Sequence, residues 1–254
     1  MLEGSLRATR AAGRKLLIPY LMGGMTEDWA QTLAAIVAAG ADAVEVGIPF
    51  SDPMMDGPVI QEAALRSLGR GTVPDGVLDG IARSEIAVPV AVMTYYNIVY
   101  RSGHKRMAHS LVEAGVSGAI IPDLPLEEVG PWAEEADAAG VATVLLVAPS
   151  SPDERVGRIC ARGRGFVYAV ARMGVTGERA DVGHEARPVV ERIRRYTDLP
   201  VCVGVGVSTP DQAAEVCEVA DGVVVGSALV RRLLEGAGPE GAAEFIASLR
   251  RAID

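Results

Sequence analysis

Glu45, Asp52 and Asp56 fall in one short segment, VEVGIPFSDPMMDGPVI from Val44 to Ile60, with Glu45 inside an apolar run and both aspartates in the proline-containing stretch after it. Side chains alternate along an extended strand, so Val44, Val46 and Ile48 share one side and Glu45 turns to the other with Ala43 and Gly47. A carboxyl group on a buried strand either exchanges protons with a substrate or neutralises a neighbouring cation. Asp56 favours the first role. Two carboxyls at one mouth divide labour: one shuttles a proton at a raised pKa while the other stays ionised beside a developing positive charge. Asp52 and Asp56 also stand in Asp-Pro and Asp-Gly pairs, ordinary turn formers, and that plainer role suits Asp52 better than Asp56.

Gly204-Val205-Gly206-Val207-Ser208 and Gly226-Ser227 form a second pattern, each directly after a β-rich run. Glycines let backbone N–H groups approach an anion, and a helix starting at Ser227 would aim its positive end at it. Tight strand-to-helix turns use glycine too, but two such turns together point to a small phosphorylated metabolite, with a mononucleotide also compatible. Gly174-Val175-Thr176-Gly177 lies in a stretch without apolar period: either a surface loop or a lid hinged on its glycines, with Gly177 adding an N–H to the phosphate. Tyr20, Met93, Tyr95 and Tyr168 end apolar runs and would either pack in a core or wall a flat aromatic pocket. His104, His109 and His184 share no metal-ligand spacing, so no metal is assigned.

The elements that must position these groups follow from periodicity. Leu16 to Met22, Ala43 to Gly47, Pro89 to Thr94, Gly118 to Ile121, Ala142 to Val147, Phe166 to Val170, Val201 to Val203 and Gly222 to Val225 read as strands. Segments of helical period alternate with them. Thr26 ahead of Glu27 and Asp28, Ser151 ahead of Pro152-Asp153-Glu154, and Thr209 ahead of Pro210-Asp211 read as helix caps. Helices are expected over Gly103 to Ala114 and Leu126 to Ala139, among others, with Gly40, Gly115 and Gly140 as stops. The connections Ile48 to Pro58 and Ala171 to His184 are long for a compact domain, which marks functional loops. Eight strand-helix units predict an α/β architecture, a (β/α)8 TIM barrel filling residues 1–254 as a single domain. The competing open doubly wound sheet lacks its GxGxxG turn after the first strand.

Composition narrows the function. Of 254 residues 49% are hydrophobic but only 4% aromatic, so the core is aliphatic, as buried parallel strands require. A net charge of −9 without a basic stripe argues against nucleic-acid binding. The N-terminal Arg7, Arg10, Arg14 and Lys15 interrupt the apolar groups, which predicts neither a signal peptide nor a membrane anchor and makes cytoplasmic residence the expectation. Cys160, Cys202 and Cys217 have no CxxC spacing and read as reduced buried thiols.

Taken together, VEVGIPFSDPMMDGPVIQ, MTYYN (Met93 to Asn97), IIPDLPLEE (Ile120 to Glu128), GVTG and the GVGVS and GS turns resemble the alpha subunit of tryptophan synthase, in order and almost from end to end. The resemblance implies retro-aldol cleavage of indole-3-glycerol phosphate to indole and glyceraldehyde 3-phosphate, with no metal or cofactor in this chain. It implies Glu45 as catalytic acid/base, Asp56 as the carboxylate at the indole N–H, Tyr168 beside Glu45, and Thr176 as the lid residue that meets Asp56. Gly177, Gly206, Gly226 and Ser227 match the phosphate cradle; Tyr20, Ile60, Met93 and Tyr95 match the indole pocket. Asp52, Pro53, Asn97 and Pro125 fall on the face toward a beta subunit carrying pyridoxal phosphate, in an alpha2beta2 assembly. A stand-alone indole-3-glycerol phosphate lyase and a non-catalytic activating subunit are the alternatives. Met22 to Met25, Met173 and Val205 depart from the usual pattern.

Overall fold

The computed structural model describes residues 1–84, 86–170, 182–204 and 206–254. In chain order the elements are α1 (Leu2–Ala11), β1 (Leu16–Met22), α2 (Trp29–Ala38), β2 (Val44–Gly47), α3 (Pro58–Gly69), α4 (Pro74–Arg83), β3 (Val90–Met93), α5 (Tyr96–Ser102), α6 (His104–Glu113) and β4 (Val116–Ile120). They continue as α7 (Gly130–Ala139), β5 (Ala142–Val147), α8 (Asp153–Arg162), β6 (Val167–Val170), α9 (Val182–Ile193), β7 (Val201–Gly204), α10 (Pro210–Val219), β8 (Gly222–Val225), α11 (Ser227–Leu234) and α12 (Gly238–Ile253). Each strand pairs in parallel with the next and β8 pairs with β1, closing the TIM barrel that the alternation predicts.

The period of two decides what lies inside. Leu16 and Ile18 of β1, Val144 of β5, Tyr168 of β6, Cys202 of β7 and Val224 of β8 pack together within the barrel. Val44, Val46 and Ile48 instead join the larger cluster between strands and helices. Glu45 therefore faces inward, on a strand whose apolar side holds it against the helical layer.

The barrel floor is closed by α1, which precedes the first expected strand. Arg7 and Arg10 disguise α1 as a solvated tail, but Leu2 and Leu6 are buried and pack into the inner cluster. Glycine makes the room: a β-carbon on Gly118 would approach Leu2 Cδ2 to 2.5 Å and one on Gly165 to 3.0 Å. Nearby, Asp42 accepts hydrogen bonds from the Leu17 N–H and from Arg250 Nη1, both at 2.9 Å. Asp221 accepts from the Val201 N–H at 2.8 Å. These buried carboxylates tie the strand starts to the helices beneath them.

Some helix boundaries differ from expectation for local reasons. Thr26 does not cap α2, which begins at Trp29 behind Asp28, because Gly24 (φ +74°) holds the preceding residues in a turn. The expected Gly103 to Ala114 helix is the second of two, separated from α5 by Gly103 at φ +84°. Helix α7 starts at Gly130 rather than Leu126, and α8 at Asp153, since the Ser151 hydroxyl accepts from the Ala148 N–H instead of capping. Thr209 does cap α10, with a reciprocal bond through Gln212.

Candidate active site

At the C-terminal ends of the strands a cavity of about 140 Å³ opens between β1, β2, β6 and β8, lined by Glu45, Asp56, Tyr20, Tyr168, Gly226 and Ser227 among others. Its walls are mostly apolar, with a few polar groups converging from different strands, the usual character of a small-molecule site. Ile60 and Met93 line it too. Met55, Pro122, Leu146, Val170, Val224 and Ala228 also line it, beyond the sequence reading, together with Val207 of the GVGVS turn. Leu146 and Val224 were within reach of that reading, because they continue the inward phase of β5 and β8.

Glu45 is fully buried, and neither carboxyl oxygen has a hydrogen-bond partner among the described residues. Burial raises its pKa to about 8, and the charge of Asp56 pushes the same way. Near neutrality Glu45 is therefore mostly a neutral acid. Asp56 is also raised by burial, to about 6, while a hydrogen bond from Tyr95 holds it down. Two carboxyls in one cavity thus titrate on opposite sides of neutrality.

The aromatic flanks of Glu45 are seated on glycines. Tyr20 is the register partner of Glu45 across β1 and β2. Its ring lies where a β-carbon on Gly47 would be, and the Tyr168 ring occupies the equivalent space over Gly204. Burial, then the charges of Asp56 and Glu45, raises the Tyr20 phenol well above its ordinary pKa; burial and Glu45 do the same to Tyr168. Both phenols stay neutral beside the carboxyls.

Tyr95 was expected in the cavity lining and is not there. It stands behind Asp56, donating from Oη to Asp56 Oδ2 at 3.0 Å and accepting from the Met55 N–H at 3.0 Å. Its ring is carried off the cavity wall because β3 ends at Met93, which takes the inward position.

Gly206 (φ +98°), Gly226 and Ser227 all border the cavity, the last opening α11 with its N-terminus toward the site. Thr176, Gly177, the rest of the GVTG stretch, Met173 and Val205 lie outside the described residues. Asp52, Asn97 and Pro125 are exposed and Pro53 is half-buried, with Met54 85% exposed among them. Among the described residues no group of three or more His, Cys, Asp or Glu side chains is placed to hold a metal. His104 instead stacks on Tyr96, its Nε2 3.0 Å from the Tyr96 hydroxyl.

The family described as tryptophan synthase alpha chain matches residues 6–251 of this sequence. The tryptophan synthase alpha chain of Streptomyces avermitilis is 47% identical over 253 residues, covering 98% of this chain and 91% of that one. That of Halorhodospira halophila is 47% identical over 258 residues, covering 98% and 94%. Among solved structures, Mycobacterium tuberculosis tryptophan synthase superposes with a TM-score of 0.92 at 38% identity, covering 99% and 97% of the two chains. The Legionella pneumophila alpha subunit superposes at 0.90 and 32%, covering 100% and 98%.

Proposed function

The chain belongs to the tryptophan synthase alpha chain family and is a carbon–carbon lyase that cleaves indole-3-glycerol phosphate; from that premise we propose that Glu45 and Asp56 divide the chemistry. The reaction needs no cofactor, and pyridoxal phosphate resides in the family's beta subunit. Cleavage requires a proton on indole C3, which places positive charge on the ring nitrogen. It also requires loss of the proton from the adjacent side-chain hydroxyl as the C3–carbon bond breaks and its electron pair returns to the ring. The products are indole and glyceraldehyde 3-phosphate.

Glu45, neutral before the reaction, delivers the proton to C3 and then, as carboxylate, takes the hydroxyl proton, so it ends as it began. Asp56 stays ionised and accepts the indole N–H, offsetting the charge on the ring. Tyr168 and Tyr20 keep water from Glu45, and Ile60 and Met93 pack against the indole. Gly206, Gly226 and Ser227 bind the phosphate through backbone N–H groups, with Gly177 and Thr176 entering on the strength of the resemblance alone. The observation that carries this reading is the pairing in one cavity of Asp56 with a fully buried Glu45 that has no hydrogen-bond partner among the described residues.

On the partner side, we read the exposed Asp52, Asn97 and Pro125 with the half-buried Pro53 as the surface that meets a tryptophan synthase beta subunit in an alpha2beta2 assembly. The likeness to M. tuberculosis tryptophan synthase supports association with a beta subunit, and the exposed Met54 within the patch supports its placement there. We also read residues 1–254 as one domain, working in the cytoplasm with its three buried cysteines reduced. Among the described residues no helix is long and apolar enough to cross a membrane.

Release of glyceraldehyde 3-phosphate from indole-3-glycerol phosphate by the purified chain, with and without a beta subunit, tests the reading. Slow release that accelerates with the beta subunit is expected. Full rate without it would favour the stand-alone lyase, and no release in either condition would overturn the catalytic assignment.

A further inference from the structure

Tyr95 is not among the residues lining the cavity, yet it holds the loop that carries Asp56 at three points. Its hydroxyl takes the Met55 N–H and donates to Asp56 Oδ2, so one oxygen fixes both the backbone before Asp56 and its carboxylate. Its ring stacks on Phe50 at 5.0 Å between centroids and 24° between planes, clamping the start of the same loop. The far side is held separately: Gln61 Nε2 donates to the Asp56 carbonyl at 2.8 Å, and the Asp56 N–H donates to the Pro53 carbonyl at 3.1 Å. Tyr95 is only 6% exposed and sits where the chain passes from β3 into α5, so the rigid barrel rim holds the phenol in place.

We propose that Tyr95 is a positioning residue that aims the Asp56 carboxylate into the cavity and keeps it ionised, rather than a wall of the indole pocket. The chemistry is directional. A phenol that donates to a carboxylate favours the charged form, since a protonated carboxyl accepts more weakly. Its second bond, from the Met55 N–H, fills one of the hydroxyl's acceptor positions and leaves its single proton for Asp56. Burial pushes Asp56 toward protonation and this hydrogen bond opposes it, which supports the same role. The inference rests on the reading of Asp56 as the carboxylate that must be charged.

The test is the pH profile of kcat/KM for indole-3-glycerol phosphate in Tyr95→Phe, with the beta subunit present, alongside Asp56→Asn. Loss of one charge-assisted hydrogen bond should move the acid limb up by about one pH unit. Activity near pH 6 would then fall several-fold more than activity near pH 8. In an Asp56→Asn background the Tyr95→Phe change should cost little further. An unmoved acid limb in Tyr95→Phe, with Asp56→Asn inactive, would overturn the inference and leave the role of Asp56 standing. An active Asp56→Asn protein would sink the role of Asp56 itself. If Tyr95→Phe folds poorly, 3-fluorotyrosine at position 95, a more acidic donor, should move the limb down; no movement would again overturn the proposal.

Discussion

The ring of Tyr168 occupies the space that a β-carbon on Gly204 would need, so the inward face of β7 is empty where β6 carries its largest polar side chain. Gly204→Ala should therefore disturb Tyr168 and, through it, the packing around Glu45. Overpacking a site of this kind costs about 1–3 kcal/mol. Urea unfolding should show that loss, and Tyr168→Ala in the same chain should recover part of it. Full additivity of the two changes would mean that the ring and the glycine do not share the space.

With Asp56 near 6 and Glu45 near 8, kcat/KM should rise with pH as Asp56 ionises and fall as Glu45 loses its proton. The two limbs belong to the coupled pair rather than to either residue alone. A profile measured from pH 5 to 9 that stays flat would contradict the division of labour.

The same shifts govern stability. Both carboxyls have folded-state pKa values raised above their ordinary 3.8 and 4.5, so their stabilising contribution is fully present below about pH 4. It is lost as pH rises through about 6 for Asp56 and about 8 for Glu45. Glu45→Gln removes the second part. At pH 9 it should be more stable than the natural chain by on the order of a few kcal/mol, with little difference at pH 5. Denaturant midpoints at the two pH values check this, and an equal difference at both would refute it.

At the opposite end of the barrel, the Arg250–Asp42 pair is buried on both sides. Arg250→Met leaves Asp42 without its closest cation and should destabilise the chain by about 3–5 kcal/mol. Since the pair lies beneath the strand starts, kcat of the folded variant at low temperature should be near that of the natural chain. A large fall in kcat without a fall in stability would show coupling between the two ends.

How much of this could be read from the sequence depends on the range of the interaction. Strand phase is local, and it placed Glu45 inward and Val44, Val46 and Ile48 outward. The place of Gly206, Gly226 and Ser227 at the cavity was legible because they follow strands closely. Helix α1 was not, because Leu2 and Leu6 are too few to outweigh the surrounding arginines until Gly118 and Gly165 open a floor for them. Tyr95 was misplaced for a similar reason. Its hydroxyl serves a loop about forty residues earlier, and nothing in MTYYN encodes that distance. Gly47 reads as a plain strand glycine and Gly204 as the first residue of a turn until the tyrosines that use their space are in view.

In the proposed reaction Glu45 moves the protons. Glu45→Gln keeps the shape of the cavity and the phosphate turns but cannot shuttle a proton. Single-turnover release of glyceraldehyde 3-phosphate from bound indole-3-glycerol phosphate, measured together with the affinity for the substrate, is the most direct test. Near-complete loss of release with affinity changed by less than about threefold is the predicted result, since the backbone N–H groups proposed to bind the phosphate lie on turns that do not include Glu45. Release at more than about a tenth of the natural rate would contradict it.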